Sequence, residues 1–268
     1  IVFGDWSSDV CSSDLEDDYC SQSLSFADFC ALAQSVGYQG VELRDTQVSL
    51  KTPKQERAAL LAQVRENGLF VSCLTARGVP TQEPEREEVF LRVLELCRDM
   101  DCRLLKIGGD AAWLHDAAEQ AQAYQVTLST NNHGGTVLET VAGTRQYFAA
   151  INHPNFGLLY DSLHLMAQGE DYLGCIPEFL PFTRNILLHS IRPAKPGELP
   201  LVEKLGKSWA IALPDESGVQ DWPAVFRAFK TFGYNGLITV IENGWPREQR
   251  EMVARHCAEF IQRHWQAV

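Results

Sequence analysis

Short apolar runs alternate with helical patterns along most of the chain, and this alternation limits the fold more than any other sequence feature. The predicted strands are residues 40–43, 69–74, 104–107, 126–130, 156–160, 185–190 and 237–241. Apolar residues at helical spacing, or a loop, follow each of these runs. Strands that alternate with helices in this way form parallel βαβ units. The chain is therefore predicted to be an α/β protein with a (β/α)₈ TIM barrel, and an open doubly wound sheet is the alternative.

The N-terminal fifteen residues depart from this pattern. Ser-Ser-Asp occurs twice, at residues 7–9 and 12–14, with little apolar periodicity around it. The segment resembles translated sequencing-adapter DNA, so residues 1–15 are predicted to be non-native and residues 16–268 to form a single TIM-barrel domain. The first barrel strand would then be missing, or replaced by residues 1–4, and a genuine disordered tail is the alternative. We expect deletion of the segment to leave the melting temperature unchanged.

Charge and hydrophobicity narrow the class of protein. The formal net charge of −12 argues against a nucleic-acid partner, because phosphate binding depends on a positive surface. Hydrophobic residues make up 45% of the chain, which is enough for a sizeable core. No apolar run approaches the roughly 18 residues of a membrane span. The cysteines are scattered without a CxxC pair, and there is no signal peptide, so a cytoplasmic protein with reduced thiols is predicted.

Residues 192–218 have no strong period and are rich in proline, glycine and charge. We predict that they form a long loop over the mouth of the barrel, because long loops in compact domains tend to be functional. Active sites of TIM barrels lie at the carboxyl ends of the strands. The residues that follow the predicted strands are therefore the candidates for chemistry.

Four segments near strand ends resemble one family. They are residues 37–44, 131–133, 161–165 and 233–242, with the sequences GYQGVELR, NNH, DSLHL and GYNGLITVIE. In this order they are similar to the xylose-isomerase-like barrels, which include ketose 3-epimerases, hydroxypyruvate isomerases and inosose dehydratases. The resemblance runs from about Ser25 to the C-terminus. It implies the TIM-barrel fold and a small sugar or polyol substrate.

The resemblance also implies a divalent metal ion (manganese, magnesium or zinc) held by Glu, Asp, His and Glu at four strand ends. The matching positions in this chain are Asn131, Asp161, His189 and Glu242. Oxygen ligands with one imidazole suit such a cation, which polarises a carbonyl group and stabilises an enediolate. The family's two glutamates also move the proton, and Glu242 is the one that this chain retains as the predicted catalytic acid or base.

Three departures from the family pattern bear on this site. Asn131 keeps a carbonyl oxygen but has no negative charge, and it cannot act as a base near neutral pH. The usual His-x-His is absent, so the register of His189 is open, and one step would turn its side chain to the other face of the strand. Glu242 follows Gly-Tyr-x-Gly one residue later than usual, a shift that a β-bulge can restore.

Further residues at or near strand ends are predicted to contact the substrate. They are Glu42, Arg77, Lys106, His164 and Arg192. The Asp-x-x-His pattern of residues 161–164 resembles the family's metal-binding Asp and its nearby substrate-contacting His. The cationic groups are suited to a phosphate or a carboxylate. For each residue a structural ion pair or a packing role is the alternative.

These observations favour a sugar or sugar-phosphate isomerase/epimerase-like enzyme that uses metal-assisted proton transfer next to a carbonyl group. A polyol dehydratase needs the same metal and a similar base, so the sequence does not separate the two. A sugar-binding family member without turnover is the third hypothesis, motivated by Asn131 and the missing His-x-His. The predicted partner is a small sugar or polyol, with no nucleic acid and no membrane, and a homo-oligomer is left open.

Overall fold

The structure is a computed structural model that describes residues 2–3, 24–76, 79, 84–241 and 245–267. Its strands are β1 (Val2–Phe3), β2 (Gly40–Leu43), β3 (Phe70–Thr75), β4 (Leu104–Lys106), β5 (Thr127–Asn131), β6 (Phe156–Asp161), β7 (Thr183–Leu188), β8 (Ile191–Pro193), β9 (Val202–Lys204), β10 (Lys207–Ile211) and β11 (Leu237–Val240). Its α-helices are α1 (Phe26–Val36), α2 (Lys54–Glu66), α3 (Glu85–Asp99), α4 (Ala111–Ala123), α5 (Val141–Ile151), α6 (Ser162–Ala167), α7 (Ile176–Phe179), α8 (Trp222–Thr231) and α9 (Arg250–Gln266).

The strands close into a barrel in the order β1-β11-β7-β6-β5-β4-β3-β2. Every neighbouring pair in the ring is parallel, and the helices between them cover the outside. The predicted (β/α)₈ barrel is thus confirmed, and the seven predicted strands agree with the observed ones to within about two residues at each end. None of the helices in the described part of the chain is long and apolar enough to cross a membrane.

The barrel is closed by β1, which lies in the segment that the sequence predicts to be non-native. Val2 pairs with Thr239 on one side and with Gly40 on the other. Phe3 pairs in the same way with Val240 and Val41. The two residues therefore take the position of the first barrel strand, as the sequence reading allowed for residues 1–4. The Ser-Ser-Asp repeat lies outside the described residues.

The position of β1 changes the expected effect of a truncation. Deletion of residues 1–15 should lower the melting temperature by roughly 5–10 °C, because β2 and β11 lose backbone hydrogen bonds of about 1 kcal/mol each. We propose that the repeat itself contributes nothing, so a Gly-Ser linker in place of residues 7–15 should leave the midpoint unchanged. Calorimetry of both variants checks this. Equal midpoints for the deletion and the parent would show that β1 adds no stability.

Local sequence signals explain how the chain passes from helix to strand. In α1 the hydroxyl oxygen of Ser25 accepts a hydrogen bond from the Asp28 amide at 3.1 Å and caps the first turn. Gly37 ends the helix with a φ of 90°, a left-handed conformation that favours glycine. The chain then enters β2, whose four residues are all buried. The strand agrees with the predicted residues 40–43.

The interior of the barrel is filled by a small apolar cluster, separate from the main core between strands and helices. It is formed by Cys73, Leu104, Leu159 and Leu187, with Ile241 packed against it. These residues come from β3, β4, β6 and β7, so they mark which side of each strand faces inward. Since side chains alternate between the two faces of a strand, the residue two positions further along also faces the interior.

The segment predicted as a long loop over the mouth contains an antiparallel sheet. Its strands have the order β8-β10-β9, and we call it the small sheet. Strands β9 and β10 form a hairpin in which Lys204 pairs with Lys207. The two residues of its turn, Leu205 and Gly206, have positive φ values of 52° and 71°. This is the backbone of a type I′ turn. Strand pairing therefore orders part of the segment that was predicted to be a loop.

The small sheet packs on α6, directly above the ends of β6 and β7. Ile191 and Trp209 of the sheet form a buried cluster with Leu163 and Ala167 of α6. An ion pair of 2.8 Å between the Lys204 Nζ and Glu139 joins the hairpin to the turn after β5. The small sheet therefore covers the side of the mouth that carries the ends of β5, β6 and β7.

Candidate functional site

A layer of polar side chains lies at the carboxyl ends of the strands, beyond the apolar cluster. Thr75, Lys106, Asp161 and His189 each come two residues after a member of that cluster, so their side chains face inward. Asn131 and Glu42 are in register with the inward-facing Leu159 and Cys73, and they face the same way. The structure thus brings most of the predicted site residues of the described chain to one mouth.

Asp161 is at the centre of this layer. It ends β6 and caps α6, because its Oδ1 accepts a hydrogen bond from the Leu163 amide at 3.1 Å. Its Oδ2 lies 3.8 Å from the Nε2 of His164 and 4.0 Å from the Nδ1 of His189. The side chains of Asp161 and both histidines are less than a tenth exposed. One carboxylate therefore faces two imidazoles in a site screened from bulk water.

The backbone fixes the tautomer of His164. The Gly134 amide donates a hydrogen bond of 3.0 Å to the Nδ1 of this imidazole, so Nδ1 carries no proton. The proton of the neutral ring is then on Nε2, the nitrogen that faces Asp161. A Cβ at position 134 would come within 3.3 Å of Nδ1, so glycine permits this close approach. His164 is consequently set to donate a hydrogen bond into the mouth.

The two asparagines after β5 have different roles. The amide of Asn132 donates to the Leu138 carbonyl and to the Thr144 hydroxyl, each at 3.0 Å, and its Oδ1 accepts from the Asp161 amide at 3.4 Å. Asn132 therefore anchors the β5 loop and holds the end of β6. Asn131 donates its Nδ2 proton to the Asn132 carbonyl at 2.8 Å, which turns its Oδ1 away from that carbonyl.

His189 follows the last residue of β7, and the predicted strand ended two residues too late. The step from Leu187 in the barrel interior places His189 on the inward side, which decides the register that the sequence left open. Gln220 holds this strand end on both sides. Its Nε2 donates to the His189 carbonyl at 2.9 Å, and its Oε1 accepts from the Ile191 amide at 3.1 Å. The sequence analysis did not single out Gln220.

A second carboxylate, Glu42, faces the mouth from β2. It is 4% exposed, and its Oε1 accepts a hydrogen bond from the Thr75 hydroxyl at 3.2 Å. Its Oε2 is shielded from solvent and has no hydrogen-bond partner among the described residues. Burial, reinforced by the nearby Glu42 charge, raises the pKa of Cys73 well above its usual range. This thiol is therefore neutral and is a packing group.

Arg192, predicted as a substrate contact, is held by two carboxylates of its own segment. Its guanidinium donates to Glu198 at 2.7 and 2.8 Å and to Glu216 at 3.0 Å. The hydrogen bonds to Glu198 and Glu216 raise the pKa of Arg192. Arg192 in turn lowers the pKa of Glu198 to about 2, so the Glu198 half of this clamp weakens only as the pH falls from about 4.5 towards 2. Arg192 thus forms the ion pairs that the sequence left as the alternative, and its substrate contact stays a prediction.

Loss of this clamp should loosen the small sheet and leave the barrel intact. In an Arg192→Met variant we expect amide hydrogen exchange in residues 191–211 to rise about tenfold or more at neutral pH, with no change in β6. The matched control is Arg145→Met, which removes the exposed, two-bond pair with Glu178 on the outer helices. Exchange that is equally slow in the parent and in Arg192→Met would show that apolar packing alone holds the sheet.

Two predicted site residues, Arg77 and Glu242, lie outside the described residues. Within the described ranges, no three side chains of His, Cys, Asp or Glu come together as a metal site. Of the residues predicted to bind a metal, Asp161 and His189 lie together there, and Asn131 comes from the neighbouring strand.

The chemistry of these donors fits a divalent cation. Carboxylate and amide oxygens with one imidazole suit magnesium, manganese or zinc. One ion with bonds of about 2.1 Å spans at most about 4.2 Å between two ligand atoms. The 4.0 Å between Asp161 Oδ2 and His189 Nδ1 falls inside that limit.

Comparison with known proteins identifies relatives of this architecture. A family model described as the xylose isomerase-like TIM barrel matches residues 30–264. Inosose dehydratase 1 from Bacillus cereus is 27% identical over 132 residues, which is 47% of this chain and 44% of that protein. An inosose dehydratase from Mesomycoplasma hyopneumoniae is 23% identical over 143 residues, or 52% and 47% of the two chains. The chain spans about half the length of these curated relatives.

Solved structures share the fold at low sequence identity. A xylose isomerase-like TIM-barrel protein from Mycobacterium smegmatis, in complex with magnesium, has a TM-score of 0.72 at 13% identity over 92% of this chain and 90% of its own. The IOLI protein with a bound zinc atom has a TM-score of 0.71 at 15% identity over 99% of this chain and 98% of its own. A D-psicose 3-epimerase in the presence of D-fructose has a TM-score of 0.69 at 12% identity over 91% of this chain and 94% of its own.

Proposed function

The chain belongs to the xylose isomerase-like TIM-barrel family, and on this premise we propose that it moves a proton next to the carbonyl group of a small sugar or polyol. The observation that carries the proposal is the buried cluster of Asp161, His164 and His189 at the mouth. A carboxylate and two imidazoles screened from water are suited to binding a polar substrate and to proton transfer. Such an enzyme is isomerase- or epimerase-like.

We propose that Asn131, Asp161, His189 and Glu242 hold a divalent metal ion, either magnesium, manganese or zinc. When bound, the ion would polarise the substrate carbonyl and stabilise the negative charge that develops on its oxygen. Solved relatives with magnesium and with zinc support a metal of this kind, and they do not decide which one. The amide of Asn131 would give the site one negative charge fewer than a glutamate.

The proposed roles of the other residues follow from the functional groups of their side chains. Glu242 is the proposed acid or base, since the amide of Asn131 cannot take up a proton near neutral pH. The Nε2 proton of His164 is placed to donate to a substrate hydroxyl or carbonyl oxygen. Lys106 and Arg77 remain proposed contacts to the substrate. The clamp on Arg192 makes its proposed contact the least supported of the set.

Dehydration is a second candidate, because the curated relatives are inosose dehydratases and the Nε2–H of His164 is suited to donate a hydrogen bond to a leaving hydroxyl. In this reaction a base removes the proton from the carbon next to the carbonyl, and the electron pair of that C–H bond forms the new C=C bond. The C–O bond of the neighbouring carbon breaks, and the leaving hydroxyl takes up the proton that the base removed and departs as water, while the Nε2–H of His164 donates a hydrogen bond to it. The sequence and the fold are consistent with both reactions.

Deuterium exchange tests the proposal. The purified chain, with Mn²⁺, Mg²⁺ or Zn²⁺ added, is incubated in D₂O with D-fructose, D-psicose, L-ribulose or inosose. We expect a C–H signal next to a carbonyl to disappear from the proton NMR spectrum of at least one compound. A C3 epimer as product would identify an epimerase, and an unsaturated ketone absorbing in the ultraviolet would identify a dehydratase. No exchange in any compound with any of the metals would contradict the proposal and favour a binding protein.

A further inference from the structure

Glu42 is a charged group whose burial is not explained by its contacts in the barrel. A carboxylate that is 4% exposed is costly unless its oxygens are hydrogen-bonded. Thr75 satisfies Oε1 at 3.2 Å, and Oε2 has no partner among the described residues. Glu42 is on the interior side of β2, and its hydrogen-bond partner Thr75 ends β3 at the mouth. A donor from a bound molecule would satisfy Oε2.

The topology places Glu42 across the barrel from the Asp161 cluster. In the ring order, β2 and β6 are separated by three strands on one side and by three on the other, so they lie opposite each other. A substrate bound at the mouth between the two walls would meet Glu42 on one face. On its other face it would meet Asp161, His164 and His189, which come from β6, α6 and the end of β7.

We propose that Glu42 is the second proton-transfer group of this site and supplies the carboxylate function that Asn131 lacks. This inference rests on the proposed function, because an epimerisation needs one proton-transfer group on each face of the substrate carbon. The Oε2 atom takes the proton from the carbon next to the carbonyl. The C–H electron pair becomes the C=C bond of an enediolate, and the negative charge passes to the former carbonyl oxygen. A proton from the proposed acid Glu242, added to the other face of the same carbon, gives the epimer, with no change of oxidation state.

The test uses D-fructose and D-psicose, which differ in configuration at C3, with the full chain and the metal that supports exchange. In a Glu42→Gln variant we expect deuterium exchange from one of the two sugars to fall at least 100-fold, and conversion between them to fall equally. Exchange from the other sugar should stay within about threefold of the parent, because its C–H bond faces the opposite wall. Glutamine keeps the oxygen that accepts from Thr75, so the variant retains the local hydrogen bond.

The outcomes separate the two proposals. Suppose that the parent exchanges deuterium, and that Glu42→Gln lowers the exchange from both sugars equally or from neither. Glu42 is then not a proton-transfer group for one face of the substrate, so the inference fails while the proposed function stands. If the parent binds D-fructose or D-psicose by calorimetry but exchanges deuterium in none of the four compounds with any of the metals, the proposed function fails. A tenfold weaker affinity of Glu42→Gln would then still support substrate contact at Glu42, and an unchanged affinity would overturn it. A parent that neither binds nor exchanges any of the four compounds would count against both proposals.

A second variant guards against misfolding. Glu42→Asp keeps the charge and shortens the side chain by one methylene, so we expect partial recovery of the lost exchange compared with Glu42→Gln. The melting temperatures of both variants should match that of the parent within a few degrees. Equal loss of exchange in Glu42→Asp and Glu42→Gln, with a lowered melting temperature in both, would assign Glu42 a structural role.

Discussion

An Asp161→Asn variant is expected to bind Mn²⁺ at least 100-fold more weakly than the parent and to lose deuterium exchange. Asp161 carries the negative charge of the histidine cluster, with Oδ2 about equally far from both imidazoles. At an effective dielectric constant of about 20, two unit charges 4 Å apart attract each other by about 4 kcal/mol, and a divalent ion doubles this. Each 1.4 kcal/mol is worth tenfold in affinity, so a 100-fold loss is a conservative expectation.

The same substitution should leave the fold intact. Asparagine retains the Oδ1 atom that accepts from the Leu163 amide, and it is a good N-cap residue. Asp171→Asn is the matched control, because the Oδ1 of Asp171 accepts in the same way from the Gly174 amide at 2.8 Å. Titration calorimetry with Mn²⁺ and a melting curve for each variant check both parts. Unchanged Mn²⁺ affinity in Asp161→Asn would remove the basis for a metal site at this mouth.

Asn131→Glu is expected to tighten Mn²⁺ binding by about 10- to 100-fold. The variant restores a carboxylate beside Asp161, on the neighbouring strand, and adds one unit of attraction to a divalent ion. The gain is limited because glutamate cannot donate the hydrogen bond of 2.8 Å that Asn131 gives to the Asn132 carbonyl. Asn131→Gln is the control, since it adds the length of glutamate without the charge and should gain little.

Calorimetry on the parent and both variants reads out this comparison. Equal affinities in all three would show that Asp161, His189 and Glu242 do not form a metal site, and the sugar-binding hypothesis would then be preferred. Tight binding by the parent would show instead that the amide oxygen of Asn131 serves as a ligand. In that case the reaction would need only one carboxylate base. The argument for Glu42 as the second proton-transfer group would then rest on the exchange experiment alone.

The barrel was predictable from the sequence because its strands are short apolar runs between helical patterns, and such runs favour buried parallel strands. The strand β2, for example, is buried at all four positions, and helix α1 carries both its cap and its terminal glycine in the sequence. The candidate site followed from the same logic. Residues that come after such strands meet at one mouth, and Asp161 and His164 are found there.

The small sheet was not predictable by the same reasoning. Its hairpin turn places Leu205 in a left-handed conformation, which glycine, asparagine and aspartate adopt far more readily than leucine. Its order comes from packing on α6 and from the Arg192 clamp, which are contacts between distant residues. Helix α6 was missed for a related reason, since six residues give too few turns for a helical period to be seen.

The two-residue strand β1 also has a consequence for how the molecule folds. Its partners on one side, Thr239 and Val240, come from the far end of the chain, whereas the pairings from β2 to β7 join consecutive units. Contacts across such a separation carry the greatest loop-closure entropy and form late. We therefore expect the ring to assemble as an open sheet that closes at β1 in the last step. Deletion of Val2 and Phe3, which removes the pairing of β1, should then speed unfolding while leaving the refolding rate nearly unchanged, so β1 governs how long the closed barrel persists.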